Sequence, residues 1–244
     1  MSSPSNSRVL FISLFSKPWA DKRFATIRTR IMNIASLEYA IKPIPTLRAI
    51  AEEPKAIFLT DEALAMPRFH MVWEAVIRYI RHGGTAICMG CFNNNLPTDM
   101  YRKFFAHAGL QWEYDHTNQC RSTLNADFLP REISDILPSI HCTDAVHLSH
   151  VGNSAWYILQ HTVKEDIEGS SNGTMTEMAN GVESMDLGEE RNPKPDEETA
   201  WKVLRTSAPV AMAQVGQGYL GFVGDLTPSE EANLIMIAMC GLYM

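Results

Sequence analysis

The chain has 244 residues, 45% of them apolar, and a net charge of −7, which suits one large α/β domain spanning 1–244 with a full core. Its apolar runs are short, the first being "VLFISLF", so none approaches the roughly 18 residues needed to cross a bilayer and none reads as a cleaved leader. Eleven acids against three bases lie between Lys164 and Thr199, leaving a near-neutral remainder without the basic field that nucleic-acid binding needs.

In chain order, "RVLFISLF" predicts a strand, and "DKRFATIRTRIMNIASLE" predicts a helix with Phe24, Ile27, Ile31 and Ile34 on one face. "AIFLTD" (56–61) is the next clear strand. "HMVWEAVIRYIRHGG" predicts a helix burying Val72, Val76, Tyr79 and Ile80 and stopping at Gly83-Gly84. "TAICMG" reads as a central strand, followed by an Asn-rich turn. "LPTDMYRKFFAHAGL" then predicts a helix with Pro97 near its start, Thr98 and Asp99 as caps and Gly109 at its end.

From Trp112 to about Gln160 the pattern is less regular, with short strands in "RSTLNAD", "DAVHLSHV" and "AWYIL" and a helix or turn in "LPREISDILP". The acidic stretch 162–198 has no hydrophobic period and reads as a mobile loop inserted in the domain. "APVAMAQVGQGYLGFVGD" predicts a β-hairpin. Gly216 and Gly218 do not form a dinucleotide fingerprint, since a strand rather than a helix follows them. Thr227, Pro228 and Glu230 form a capping box opening a strongly apolar terminal helix, expected on the sheet or in a homodimer contact. Strand–helix alternation of this kind implies a three-layer α/β/α architecture with a mostly parallel central sheet, a C-terminal hairpin and a terminal helix.

The five cysteines suggest no disulfide framework, and the single C-x-x-C, Cys88 to Cys91, has no second pair for zinc. Cys88 lies within the strand rather than at a helix start, which argues against a redox pair. Reduced thiols, a cytoplasmic location and no cofactor or metal are expected. Ligands in open α/β sheets sit beyond the carboxyl ends of the strands, which singles out Ser16, Asp61, Cys91 and Asp225. Asp61 and Asp225 also fit ordinary turn or helix caps. Cys91 follows Gly90, which permits a sharp elbow, and Asn93 or local backbone amides could hold an oxyanion. His116 beside Asp115 is a candidate base, because a carboxylate neighbour fixes the tautomer. Tyr114, Asp115, His116 and Arg121 could instead bind an anionic or hydroxylated small molecule, with Arg121 as anchor.

"GGTAICMG", "FFAHAGLQWE" and "VGQGYLGFVGDLTPSEEANLIMIAMCGL" together resemble the class I glutamine amidotransferase-like superfamily of flavodoxin-like folds, in particular a divergent branch with trehalose-utilisation-type and fungal proteins. The family's catalytic members carry a Gly-x-Cys-x-Gly elbow. Here Ala86-Ile87-Cys88-Met89-Gly90 matches with its first glycine lost, and Met89-Gly90-Cys91-Phe92-Asn93 lacks both framing glycines. Those enzymes also carry a late His-x-Glu pair, and no histidine follows His161 in this chain. The resemblance therefore implies a relative without a recognisable glutaminase triad that binds a small molecule at the carboxyl edge of the sheet. Two other readings stay open: a cysteine-dependent hydrolase or lyase using Cys91, and an interaction protein docking a partner through its acidic loop.

Overall fold

The computed structural model describes residues 7–15, 20–159, 207–227 and 229–242. The expected acidic loop at 162–198 and the candidate Ser16 lie outside them. Within them the strands are β1 (Arg8–Ile12), β2 (Ser36–Ala40), β3 (Ala56–Leu59), β4 (Thr85–Met89), β5 (Glu113–Leu124), β6 (Ile140–Ser149), β7 (Ala155–Leu159), β8 (Val210–Val215) and β9 (Gly218–Val223). They form one sheet in the order β2-β1-β3-β4-β9-β8-β7-β5-β6. The first five in this order run parallel, and β8, β7, β5 and β6 extend the sheet by antiparallel pairing.

The helices are α1 (Ala20–Arg23), α2 (Ala25–Met32), α3 (Pro43–Ala51), α4 (His70–Arg81), α5 (Cys91–Asn95), α6 (Met100–Ala106), α7 (Arg131–Ser134) and α8 (Glu230–Met239). Alternation along each parallel strand sorts the core into two layers. Leu10, Ile12, Ile57, Leu59, Ala86 and Cys88 face α3, α4 and α6, while Val9, Phe11, Ala56, Phe58, Ile87 and Met89 face α2 and α8. These strands are apolar on both sides because both sheet faces are covered. Each fully buried Ile or Phe contributes about 1.5–3 kcal/mol of transfer free energy.

Four local outcomes differ from the expected elements. The helix foreseen over 21–38 ends at Met32, and Ser36–Ala40 leaves it to pair with β1 as the edge strand β2. Pro43 and Pro45 sit in the first turn of α3, where the missing N–H groups have no helical acceptor to lose. Residues 113–149 form two long strands rather than several short ones. The terminal helix is capped by Ser229, whose Oγ accepts from the Ala232 N–H at 3.0 Å, and not by Thr227. This helix lies on the sheet, with Ile235, Met236 and Met239 buried and Leu234 exposed.

The β5–β6 hairpin also curls back over the parallel half. Val146 N–H donates to the Gly224 carbonyl at 2.9 Å, Leu226 N–H to Asp144 at 2.8 Å and Leu148 N–H to Ala208 at 3.0 Å. Strand β6 thereby covers the carboxyl end of β9 and the start of β8, bringing its side chains to the edge where ligands of such sheets sit.

Candidate functional site

Strand β1 has β2 on one side and β3 on the other, so the chain's direction of winding reverses there and opens a crevice at the carboxyl ends of β1 and β3. Asp61, just beyond β3, occupies that crevice and is buried. Its Oδ2 accepts from the Phe15 N–H at 2.9 Å and the Ser13 hydroxyl at 3.2 Å, and its Oδ1 accepts from the Ala63 N–H at 3.1 Å. Burial pushes its carboxyl above the ordinary range, and these three bonds oppose the shift. Asp61 thus ties the loop after β1 to the 3-10 turn Glu62–Ala65, which it caps.

The elbow after β4 is built on a glycine. Gly90 has φ 63° and ψ −115°, a conformation that strains any residue with a Cβ. It is the residue at the strand-to-helix turn, the place from which an elbow displays a nucleophile. A Cβ added there would lie 2.4 Å from Cε1 of Phe24, so the Phe24 ring fills the space a nucleophilic side chain would need. Neither cysteine register places sulfur at this turn. Cys88 precedes it, fully buried against the α4 and α6 layer, where burial pushes the thiol well above its ordinary range. Cys91 follows it as the first residue of α5, 1% exposed and packed in the opposite layer with Phe24, Trp156 and Tyr157.

Asn93 is buried as well. Its side-chain amide donates to the Val223 carbonyl, and its backbone carbonyl accepts from the Tyr101 hydroxyl at 3.0 Å. The bond to Val223 ties α5 to β9 and fixes the orientation of the Asn93 amide. Asn95 likewise donates to the Cys91 carbonyl at 2.7 Å, closing the short helix on itself.

The register of β5 against β6 shifts between Tyr114 and Thr117, and this irregularity groups consecutive side chains that a regular strand would alternate. His116 Nδ1 lies 2.9 Å from Asp115 Oδ2, and the Tyr114 hydroxyl is 3.2 Å from Thr117 Oγ1. The His116 ring stacks on His147, with centroids 4.3 Å apart and planes 12° from parallel. His147 is fully buried and neither of its ring nitrogens has a hydrogen-bond partner among the described residues. Burial, followed by the neighbouring His116, pushes its imidazole down to about 4, so it is neutral at ordinary pH. Arg121 is not brought to this group; it lies roughly 16 Å farther along the strand, at about 3.3 Å per residue, opposite Cys142.

Asp225 has a partner that no local motif announced. Its Oδ1 lies 3.0 Å from His141 Nε2 and both groups are buried, with the Ser229 hydroxyl 3.5 Å from Oδ2. His141 comes from β6 and lies 84 residues away in sequence. Cys120 is on the same face of β5 as Ser122, two pairs from the Ser122–His141 pair. Its thiol is pushed up to about 11, chiefly by burial and then by Asp225. A thiol held in its protonated form is a poor nucleophile, so the dyad fastens β6 over β9 rather than activating Cys120.

No family model matches the chain, and no curated protein matches it either. Solved structures do. A ThuA-like protein from Bacteroides uniformis superposes with a TM-score of 0.56 at 10% identity, over 98% of this chain and 91% of that one. The β-galactosidase from Bacillus circulans sp. alkalophilus gives a TM-score of 0.53 at 11% identity over 97% of this chain, and that from Halorubrum lacusprofundi gives 0.50 at 13% over 99%. The fold is shared. It is a three-layer α/β/α arrangement built on a mostly parallel sheet. The chain spans 31% and 30% of the two β-galactosidase chains. At these identities the likeness concerns the backbone path alone, and the chemistry rests on the side chains just described.

Among the described residues no group of three or more His, Cys, Asp and Glu could hold a metal ion, and no helix is long and apolar enough to cross a membrane. The cavities bounded by α3 and α4, by α4 and α6, and by α2 and α8 are not lined by Asp61, Gly90, Cys91, Asn93, His116 or Asp225.

Proposed function

We propose that this chain is a non-glutaminase relative of the amidotransferase-like fold that works as a binding domain rather than as a cysteine enzyme. The observation that carries the reading is Gly90. The residue at the elbow has no side chain, and Phe24 occupies the volume where a nucleophile would stand. A base cannot compensate for a nucleophile that is not displayed. On this reading Tyr114, Asp115 and His116, which the β5–β6 hairpin leaves partly exposed near the end of β9, serve recognition of a small polar ligand rather than proton transfer.

The test uses Cys91→Ala in the full chain, with glutamine and activated esters as substrates. No turnover that depends on Cys91 is expected. In the native protein, iodoacetamide should label the exposed Cys142 well before the buried Cys91. Turnover abolished by Cys91→Ala with an unchanged circular dichroism spectrum would overturn the reading in favour of a Cys91 hydrolase.

A further inference from the structure

We infer that the amino edge of the sheet, opposite the elbow, holds a binding site for a small monoanion with an apolar body. The inference rests on a different part of the molecule from the proposal above and stands or falls separately from it.

A cavity of about 720 Å³ lies between the ends of α3 and α4 and the segments that lead into β3 and β4. That volume falls within the range of about 300–1,000 Å³ typical of small-molecule sites. Leu47 and Ile50 of α3, Ala75 and Tyr79 of α4, and Pro54 supply the apolar lining. The Tyr79 hydroxyl is already engaged, donating to the Pro54 carbonyl at 2.8 Å and accepting from the Thr85 N–H at 3.2 Å. Its ring lies so close to Gly84 that an added Cβ would sit 2.2 Å from it, so this wall is fixed against the backbone.

The titratable and charged groups of the lining are Arg78, Lys55, His82 and Glu53, beside the hydroxyl-bearing Thr85 and Tyr79. Cations near a helix end commonly satisfy its last carbonyls, and that is the ordinary explanation for an arginine here. At the end of α4 those carbonyls have other partners. The Arg78 carbonyl accepts from His82 Nδ1 at 2.7 Å, Tyr79 from Gly84 N–H at 3.1 Å, Ile80 from Gly83 N–H at 2.9 Å and Arg81 from Gln217 N–H at 3.1 Å. The Arg78 guanidinium therefore has no carbonyl to cap, and it has no ion-pair partner among the described residues. Lys55 is a second cation, with its ammonium near Gly241 beyond α8, and Glu53 is the single carboxylate in the lining. A guanidinium beside an apolar cavity suits a ligand whose carboxylate it can grip through two parallel hydrogen bonds while the body leaves water.

The probes are octanoate, octanol and octylamine, titrated into the full-length chain and followed by calorimetry. Octanoate should bind saturably at one site, with octanol and octylamine weaker by at least about tenfold, the loss expected when a charge-assisted pair is absent. Arg78→Glu should weaken octanoate by a similar factor. Ala75→Trp, which fills the lining, should remove binding, while Leu234→Ala on α8 should change nothing. Arg78 is exposed, so its variant keeps the test alive if the bulkier tryptophan disturbs the fold. Absence of saturable octanoate binding, equal or tighter binding of octylamine, or wild-type affinity in Arg78→Glu would each overturn the inference.

Discussion

At the carboxyl edge of the parallel strands Asp61, Asn93 and Asp225 are each tied to other protein groups, whereas at the amino edge Arg78 lines open volume. Asp61 is met by three donors, Asn93 by the Val223 carbonyl and Asp225 by His141, and the elbow residue has no side chain to offer. At the other edge, Arg78 lines a cavity without an ion-pair partner among the described residues. Sheets of this class ordinarily keep their ligand crevice at the carboxyl ends. Here Asp61, Asn93 and Asp225 hold loops and the β5–β6 hairpin in place, while the buried His147 ring has no hydrogen-bond partner among the described residues. A substitution there should therefore cost stability, and one at the amino edge should not.

The largest effect is expected at Gly90. Gly90→Ala introduces a Cβ against the Phe24 ring at a positive φ, and urea unfolding should show a loss of about 3–5 kcal/mol from strain and overpacking together. Combining it with Phe24→Ala should cost less than the sum of the two single changes, because the steric conflict is removed. Next comes Asp61→Ala, which strands the Phe15 and Ala63 N–H groups and the Ser13 hydroxyl, at about 2–4 kcal/mol in the same assay.

His147 gives a pH-dependent test. Its folded pKa, pushed down to about 4, lies below the ordinary 6.5, so the unfolded chain takes up its proton first. The stability linked to this group is complete above pH 6.5 and is lost as the pH falls toward about 4, on the order of 3 kcal/mol in all. Asp61, whose carboxyl is raised, pulls the other way on acidification, so the measurement compares wild type with His147→Phe. The variant should lose less stability between pH 6.5 and 4 than wild type does. The smallest effect is expected at the amino edge, where Arg78→Glu should shift stability by no more than about 0.5 kcal/mol. An Arg78→Glu loss as large as that of Asp61→Ala would erase the contrast between the two edges.

Much of the parallel half was legible because its strands are apolar on both faces and helix α4 keeps a clean apolar stripe. Strand β2 was not, since "SLEYA" pairs at a sheet edge, stays half in water and continues the periodicity of α2 without a break. Only the end of β5, within "RSTLNAD", was legible; its longer first part, "EYDHTNQC", is largely solvent-facing and reads as connecting chain. In the site, the letters around Gly90 permit an elbow but leave open whether a cysteine or the glycine stands on it. Only the backbone angles show that the turn residue is the glycine itself. The His141–Asp225 contact depends on β6 crossing the end of β9, and no local pattern encodes a contact of that sequence separation.

That crossing also bears on how the chain reaches its native state. The β5–β6 hairpin joins segments close in sequence and can form early, but its closure onto Gly224 and Asp225 brings together residues as far apart as the 84 positions separating His141 from Asp225. The loop entropy of such a contact is repaid only after the parallel strands have assembled, which places it on the native side of the folding barrier. Weakening the dyad, for example with His141→Ala, should accordingly leave the refolding rate nearly unchanged and speed unfolding. The buried dyad is then a brake on opening, setting how long the molecule stays folded rather than how quickly it folds.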